Sequence, residues 1–331
     1  RYVVHEAATI RQGEDTKSKI IMINDVSRAF FEAPAVRQVC VEIPEEDLTA
    51  TDRKADNVGH LKMSLYGTRD AAMNWQEEVA REMVKWGFQR GRYNPCLYYN
   101  PVTKLICMVH GDDFVSVGNV EAARNFRSQL ESRFEIKTQL LGADGAVMSA
   151  RTTTAEDENV LQEGRVLNRV VRWTKDGWEV KPDQRHADVI VQEMGMAEAR
   201  PVSSPGDADL RGTGDEPQAL DNQMTSKFRS IAARANYLAA DRTDLMYAVK
   251  EICRGMANPG ENEWNKLKRL ARYLSGCGRL VTKYAWQGNE EMVQAYSDSD
   301  WAGCRQTGES TSGGVIMIVD HFIKGWSRTQ N

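Results

Sequence analysis

The feature that most constrains this chain is a pair of short apolar runs separated by His-Gly-Asp-Asp. Residues 105–109 read Leu-Ile-Cys-Met-Val and residues 114–118 read Phe-Val-Ser-Val-Gly. Two β-rich runs around a short turn that contains glycine predict a β-hairpin. Gly111 permits a tight turn, because glycine adopts backbone conformations that other residues avoid. The hairpin would carry two adjacent carboxylates, Asp112 and Asp113, at its tip.

A third carboxylate, Asp25, ends another short apolar run at residues 19–26, which we predict to be a buried strand. Three carboxylates on a rigid sheet are able to hold two Mg²⁺ ions roughly 3.5–4 Å apart. Neighbouring strand residues point to opposite faces, so Asp112 is the preferred ligand and Asp113 the weaker one. An Asp-Asp pair in a hairpin turn is usually only good turn chemistry, and the spacing of the residues alone favours that alternative.

The rest of the first half alternates between short strands and helices. Residues 71–88 predict a helix, because Trp75, Val79, Met83 and Trp86 form one apolar stripe. Asn119 is placed to cap a further helix. Residues 39–44 predict a strand, and the acidic, polar residues 45–60 predict a loop.

The second half predicts a strand pair with an Asp-Gly turn, then a linker, then three helices, then two strands. These lie at residues 165–180, about 200–222, 227–238, 244–256, 261–274, 292–297 and 314–319. The whole pattern is of the α+β class. The helix over 261–274 has a cationic face that is either a nucleic-acid contact or a merely solvated surface, formed by Lys266, Lys268, Arg269 and Arg272.

Composition excludes several classes of protein. The net charge of −4 disfavours bulk nucleic-acid binding, so any polyanion site must be local. No apolar run approaches the roughly 18 residues of a membrane span. The six cysteines form no Cys-x-x-Cys pair, which disfavours zinc and indicates reduced, intracellular thiols.

Eight segments with motif-like sequences lie in order across nearly the whole chain. They are residues 24–30, 64–70 with Trp75, 94–98, 109–113, 236–249, 264–274, 296–303 and 310–313, and residues 296–303 read Tyr-Ser-Asp-Ser-Asp-Trp-Ala-Gly. Together they resemble motifs of copia-type retrotransposon Pol polyproteins, and residues 296–303 resemble the start of that family's ribonuclease H domain. Each motif is modest alone, and their order makes the resemblance specific.

The resemblance implies an RNA-directed DNA polymerase with a palm-type antiparallel sheet, partial fingers and a helical thumb or connection region. It implies that Asp25, Asp112 and Asp113 bind two Mg²⁺, with Mn²⁺ as the alternative. Phe30 would lie under the incoming sugar and favour deoxynucleotides. The loop that contacts nucleotide and template would hold Tyr66, Gly67 and Arg69. Asp298 matches the first ribonuclease H carboxylate, and Asp300 is expected to be structural.

The same resemblance divides the chain into residues 1–141, residues 142–285 and residues 286–331. These would be the polymerase palm with partial fingers, the thumb or connection region, and an N-terminal fragment of a ribonuclease H-like domain. The implied partners are dNTPs, an RNA or DNA template–primer and other parts of a Pol polyprotein, with no membrane. The implied location is the cytoplasm, in a virus-like particle, or the nucleus.

The chain also departs from the family pattern. His110-Gly111 replaces the usual Tyr-Val before the acid pair, and Asp70 replaces a Gln. We expect no ribonuclease H activity, because one matched acid cannot support two-metal hydrolysis. The alternative to an active polymerase is a decayed or domesticated fragment that binds nucleic acid, or only folds.

Overall fold

The computed structural model describes residues 1–143, 160–206, 218–289, 292–304 and 307–330. Within these ranges the α-helices, in chain order, are α1 (Tyr2–Ala7), α2 (Ala50–Ala55), α3 (Ala71–Lys85), α4 (Val120–Glu131), α5 (Gln184–Glu193), α6 (Asn222–Ala239), α7 (Met246–Arg254) and α8 (Glu261–Gly276). The strands are β1 (Thr9–Ile10), β2 (Lys19–Val26), β3 (Cys40–Val41), β4 (Gly59–His60), β5 (Gln89–Arg90), β6 (Leu97–Tyr99), β7 (Ile106–His110), β8 (Asp113–Asn119), β9 (Ile136–Leu141), β10 (Val160–Leu161), β11 (Glu163–Val166), β12 (Arg169–Thr174), β13 (Gly177–Lys181), β14 (Thr282–Ala285), β15 (Gln287–Gly288), β16 (Val293–Ser299), β17 (Thr311–Ile318) and β18 (His321–Thr329). The predicted α+β class is confirmed.

The chain forms two compact units. The first unit is Gly13–Gln162, and the second unit combines Arg1–Gln12 with Glu163–Asn331. The division by role at residues 141 and 285 stays a prediction. Across the described residues, no helix is both long and apolar enough to cross a bilayer.

A seven-stranded sheet in the order β10-β9-β2-β8-β7-β6-β5 organises the first unit. All neighbouring pairs are antiparallel except β10 and β9. One face packs on α3 and α4, and from β2 it buries Ile20, Met22 and Val26. Because side chains alternate along a strand, Asp25 belongs to the opposite face.

Most elements predicted for this unit are confirmed. The strand over residues 19–26 is β2, the hairpin is β7–β8, and the helix after Asn119 is α4. The loop predicted over residues 45–60 is wrong in its middle, where α2 forms. The Thr49 side chain accepts a hydrogen bond from the Asp52 amide, and Asp52 bonds back to the Thr49 amide. That reciprocal cap stabilises a short polar helix that has no apolar stripe to reveal it.

The second unit contains a helical core and two antiparallel sheets. Helices α5 to α8 bury a shared set of side chains that includes Phe228, Ile231, Leu267 and Leu270. The predicted strand pair is β12–β13, but its turn is Lys175-Asp176 rather than Asp-Gly, because Thr174 pairs with Gly177, the first residue of β13. A Cβ on Gly177 would lie 2.0 Å from the Tyr284 carbonyl oxygen, so only glycine fits this position.

The three predicted helices correspond to α6, α7 and α8, and the two predicted C-terminal strands correspond to β16 and β17. Of the linker predicted over about 200–222, residues 207–217 lie outside the described residues. Only its last residue, Asn222, is helical, because α6 begins there, after Asp221 caps the helix by accepting a 2.7 Å hydrogen bond from the Met224 amide.

Arg242 ties the helices of the second unit together. Its side chain is only 1% exposed and binds both carboxylate oxygens of Asp244, at 2.9 and 2.7 Å. It also donates to the carbonyl oxygens of Cys277 and Gly278, just beyond α8. Tyr273 donates to the same Asp244 carboxylate at 2.9 Å. The guanidinium therefore makes its hydrogen bonds within the fold, as a buried cation requires.

Candidate active site

The tip of the β7–β8 hairpin is a two-residue turn, Gly111-Asp112, between His110 and its partner Asp113. Gly111 has a φ of +63°, whereas Asp112 is not among the residues with positive φ. This is the arrangement of type II′ turns, which take glycine at the first central position. The turn leaves both Gly111 and Asp112 exposed.

Asp25 and Asp113 lie directly opposite each other on the adjacent strands β2 and β8. The Val26 amide donates to the Asp112 carbonyl oxygen at 3.1 Å, so the next pair, Val26 and Asp112, is the hydrogen-bonded one. Asp25 and Asp113 thus occupy a non-hydrogen-bonded position, where facing side chains approach most closely. Their Cβ atoms are expected about 4.5–5.5 Å apart on the same face of the sheet.

The electrostatics of Asp113 reflect this crowding. Its pKa is raised above the ordinary carboxyl value, first by burial and then by the negative charges of Asp112 and Asp25. His110 opposes the shift. Like charges placed directly opposite destabilise a sheet. The three carboxylates therefore form a local negative centre that a cation would relieve.

The sheet aligns four ionisable residues in one row across β9, β2, β8 and β7. Lys137 pairs with Asp25, Asp25 with Asp113, and Asp113 with His110. Sequence reasoning missed Lys137, because its register depends on the pairing of two strands more than a hundred residues apart. The only local signal is a charged residue within a short β-rich run.

Trp75 fixes the hairpin tip from α3. Its indole Nε1–H donates to the Gly111 carbonyl oxygen at 2.7 Å, and the side chain is 1% exposed. The ring also packs edge-on against Phe134, with centroids 5.2 Å apart. The sequence identified Trp75 as part of an apolar stripe and of a motif, but its hydrogen bond to the acidic turn is apparent only in three dimensions.

The two predicted aromatic site residues are in contact. Phe30 stacks on Tyr66 with ring centroids 4.4 Å apart, and Phe31 meets the same ring edge-on at 5.5 Å. Tyr66 stays 47% exposed. Gly67 has a φ of +88°, and a Cβ added there would have no atom within 4 Å, so backbone conformation rather than crowding favours glycine. Arg69 is exposed in the same loop.

Two acids of the second unit have different surroundings. Asp298 lies on β16 opposite Gly313, at an open cleft of about 490 Å³ that Trp326 also lines. Asp300 accepts a 2.6 Å hydrogen bond from the Thr311 amide. Backbone hydrogen bonding, first from Thr311, holds the pKa of Asp300 below its usual range. Asp300 thus links the end of β16 to the start of β17, and its structural role stays a prediction.

The cationic face of α8 is largely used within the second unit. Arg269 donates to the Gly206 carbonyl oxygen at 3.0 Å, and Arg272 donates to the Arg200 carbonyl oxygen at 2.9 Å. Lys266 pairs with Glu263 at 3.2 Å. Of the two alternatives for this face, these contacts favour a structural surface over a template–primer contact.

Comparisons with known proteins find a matching family model for part of the chain and relatives for most of it. Residues 14–146 match the family model described as reverse transcriptase (RNA-dependent DNA polymerase). The chain is 27% identical over 311 residues, 92% of its length, to the retrovirus-related Pol polyprotein from transposon RE2 of Arabidopsis thaliana. It is 26% identical over 313 residues to the corresponding polyprotein from transposon RE1 of the same plant.

A third relative, an uncharacterized mitochondrial protein of Arabidopsis thaliana, is 35% identical over 143 residues, which are 43% of this chain and 58% of that protein. The chain spans 19% of the length of the RE1 and RE2 polyproteins. The match to the two polyproteins nevertheless runs through both units. The chain is therefore homologous to copia-type retrotransposon Pol polyproteins across most of its length, and its residues 14–146 match the reverse transcriptase family.

Proposed function

We propose that this chain catalyses RNA-directed DNA synthesis, transferring a nucleotide from a dNTP to a primer 3′-hydroxyl at Asp25, Asp112 and Asp113. The observation that carries the proposal is the direct pairing of Asp25 with Asp113 on adjacent strands, one residue from Asp112 in the turn. Residues 14–146 match the reverse transcriptase family, which supports interpreting this pair as part of a polymerase active site. Phosphoryl transfer is catalysed chiefly by positioning and charge neutralisation, which a rigid acidic sheet edge suits.

The residues fit the divalent metal that this family implies. Carboxylate oxygens are the ligands that Mg²⁺ prefers, and the raised pKa of Asp113 marks negative charge in need of a counter-ion. Among the described residues, no three His, Cys, Asp or Glu side chains are already grouped to hold an ion. The fit is thus a facing pair, Asp25 and Asp113, with Asp112 adjoining. The ranking of Asp112 above Asp113 stays a prediction.

Bound ions would lower the pKa of the primer hydroxyl and neutralise the leaving pyrophosphate. The protein itself would keep the acids in place. Trp75 holds the Gly111 carbonyl, and the Val26 amide holds the Asp112 carbonyl, so both the helix and the neighbouring strand fix the turn. A preorganised site of this kind needs no reorganisation when the reaction occurs.

The stacking of Phe30 on Tyr66 supports a binding position for the nucleotide sugar at these two rings. Phe30 follows Asp25 by five residues, and its ring is half-buried against the exposed Tyr66. We propose that the Phe30 ring lies under the incoming sugar and excludes a ribose 2′-hydroxyl. Gly67 and Arg69, in the loop of Tyr66, would contact the nucleotide and the template, and Arg69 would supply a cation for phosphate.

The proposal is tested by measuring Mg²⁺-dependent incorporation of dTTP on poly(rA)–oligo(dT). Wild-type protein should incorporate dTTP, and Asp112→Asn should lose the activity. Asp47→Asn is the matched control, because Asp47 is exposed in the same unit and remote in sequence from the acids. Equal incorporation by wild type and Asp112→Asn would refute the assignment.

A folded wild-type chain that incorporates nothing would favour the alternative, a fragment that binds nucleic acid or only folds. The absence of a preformed three-acid group among the described residues is the observation on its side. Binding of the template–primer without incorporation would identify that outcome.

A further inference from the structure

Two consecutive residues of α3 reach toward different parts of the candidate site. Trp75 donates to the Gly111 carbonyl oxygen in the acidic turn. Asn74 donates from its side-chain amide to the Ser64 hydroxyl at 3.0 Å, two residues before Tyr66. Both residues are buried, with Asn74 7% and Trp75 1% exposed. One turn of a single helix therefore links the acidic turn to the segment that carries Tyr66.

Ser64 extends the link to the segment that carries Phe30. Its hydroxyl donates to the Pro34 carbonyl oxygen at 3.3 Å, and its amide donates to the Ala33 carbonyl oxygen at 2.8 Å. Pro34 also faces Met63 in an antiparallel bridge. Ser64 is only 2% exposed, so water does not compete for these hydrogen bonds. The two segments that carry the stacked rings are thus fastened to each other and, through one buried amide, to α3.

The position of the rings depends on this support. Phe30 is half-buried against Tyr66, and Phe31, which meets Tyr66 edge-on, is 40% exposed. The free energy gained by packing grows with the apolar area removed from water, so rings with this much exposure gain little from burial. Their backbone is therefore positioned by the hydrogen bonds to Ser64. A buried side-chain amide that lost its partner would be costly, which favours the bond from Asn74 to Ser64 further.

We propose that Asn74 is a positioning residue that fixes the stacked rings of Phe30 and Tyr66 relative to the acidic turn, and thereby sets the discrimination between deoxyribose and ribose. This inference rests on the proposed function and adds a residue to it. A ring that excludes a 2′-hydroxyl by contact must be held within about 0.5 Å of its place. Because Asn74 and Trp75 are neighbours on α3, the rings and the acids share one rigid support.

The test compares incorporation of dTTP and UTP on poly(rA)–oligo(dT) with Mg²⁺. Asn74→Ala is expected to lower the ratio of kcat/KM for dTTP to that for UTP about tenfold, because UTP is excluded less well. The kcat for dTTP should stay within about twofold of wild type, because the acids and Trp75 are untouched. Ser64→Ala should lower the ratio at least as much, and the double variant should fall no further, since both residues act through one hydrogen bond. Val79→Ala, buried on the same helix, is the control that should lose stability and keep the wild-type ratio.

An unchanged ratio in Asn74→Ala, or an equal fall in Val79→Ala, would overturn the inference. Competition of dTTP and UTP against fluorescent dTTP, with a dideoxy-terminated template–primer, measures the preference without turnover. A wild-type protein that prefers dTTP in binding but incorporates none would refute the proposed function alone, and a smaller preference in Asn74→Ala would still support the inference. A wild-type protein that neither incorporates nor prefers dTTP would overturn both.

Discussion

The carboxylates Asp25, Asp112 and Asp113 of the first unit differ from the charged groups of the second unit in whether other groups compensate their charge. In the first unit, burial raises the pKa of Asp113, and the nearby negative charges of Asp112 and Asp25 raise it further. In the second unit, Asp300 receives a backbone hydrogen bond that lowers its pKa. The buried Arg242 guanidinium likewise donates hydrogen bonds to the Asp244 carboxylate and to the carbonyl oxygens of Gly278 and Cys277. Satisfied charges stabilise a structure, whereas crowded like charges mark a site that needs a ligand.

The largest expected effect separates the two acidic regions by activity. Asp25→Asn should lower dTTP incorporation at least about a hundredfold, because the loss of a metal ligand removes several kcal/mol of charge stabilisation. Asp298→Asn, in the second unit, should incorporate at the wild-type rate. A comparable loss in both variants would remove the distinction between the regions.

The second prediction concerns the satisfied charges. Arg242→Met should lower the free energy of unfolding by about 3 kcal/mol, because Asp244 loses its buried partner and two helix-end carbonyls lose a donor. Urea unfolding followed by tryptophan fluorescence measures the change. Arg185→Met is the control, since its ion pair with Asp183 is at the surface and should change stability little. If the two variants unfold alike, the buried network does not stabilise the unit.

The third prediction concerns the support of the acidic turn. Trp75→Phe keeps an aromatic ring in the core but removes the hydrogen bond to the Gly111 carbonyl oxygen. Stability should fall by about 1 kcal/mol, and incorporation should fall about tenfold because the turn is less precisely held. Val79→Ala, on the same helix face, is the control, since it costs stability without touching the turn. An equal fall in incorporation for that variant would assign the effect to stability alone.

The smallest expected effect is on the pH dependence of stability without metal. The folded pKa of Asp113 is raised above 3.8, so the folded state holds a proton that the unfolded state releases. Stability should therefore fall as pH rises from about 3.8 through the raised pKa, and Asp113→Asn should abolish that fall. Asp300 has a lowered pKa, so its contribution is present above 3.8 and is lost as pH falls through the lowered value. Thermal unfolding of wild type, Asp113→Asn and Asp300→Asn against pH measures both slopes. If Asp113→Asn lost stability with rising pH as the wild type does, the raised pKa of Asp113 would not be the cause.

Local patterns predicted the elements well where one strand, turn or helix carries its own signal. The β7–β8 hairpin, β2 and α3 follow from apolar periodicity and from Gly111. The short helix α2 was missed because a capping interaction, rather than apolar burial, stabilises it.

The partners within the candidate site depend on register between distant segments. The sequence indicates that Asp25, Asp112 and Asp113 belong to a rigid sheet. It does not indicate that Asp113 rather than Asp112 faces Asp25, nor that Lys137 lies on the other side. A shift of one residue in either strand pairing would exchange these faces. Such contacts are set by the whole sheet, so no local motif contains them.

The most direct test of the account is a Mn²⁺ titration followed by electron paramagnetic resonance, with dTTP and a dideoxy-terminated template–primer present. Mn²⁺ is a carboxylate-binding substitute for Mg²⁺ that reports its own bound fraction. We predict that wild type and Asp298→Asn bind Mn²⁺ with the same affinity, and that Asp25→Asn and Asp113→Asn bind it at least about tenfold more weakly. Undiminished Mn²⁺ binding in Asp25→Asn and Asp113→Asn would contradict the claim that the carboxylates of Asp25, Asp112 and Asp113 form the metal site.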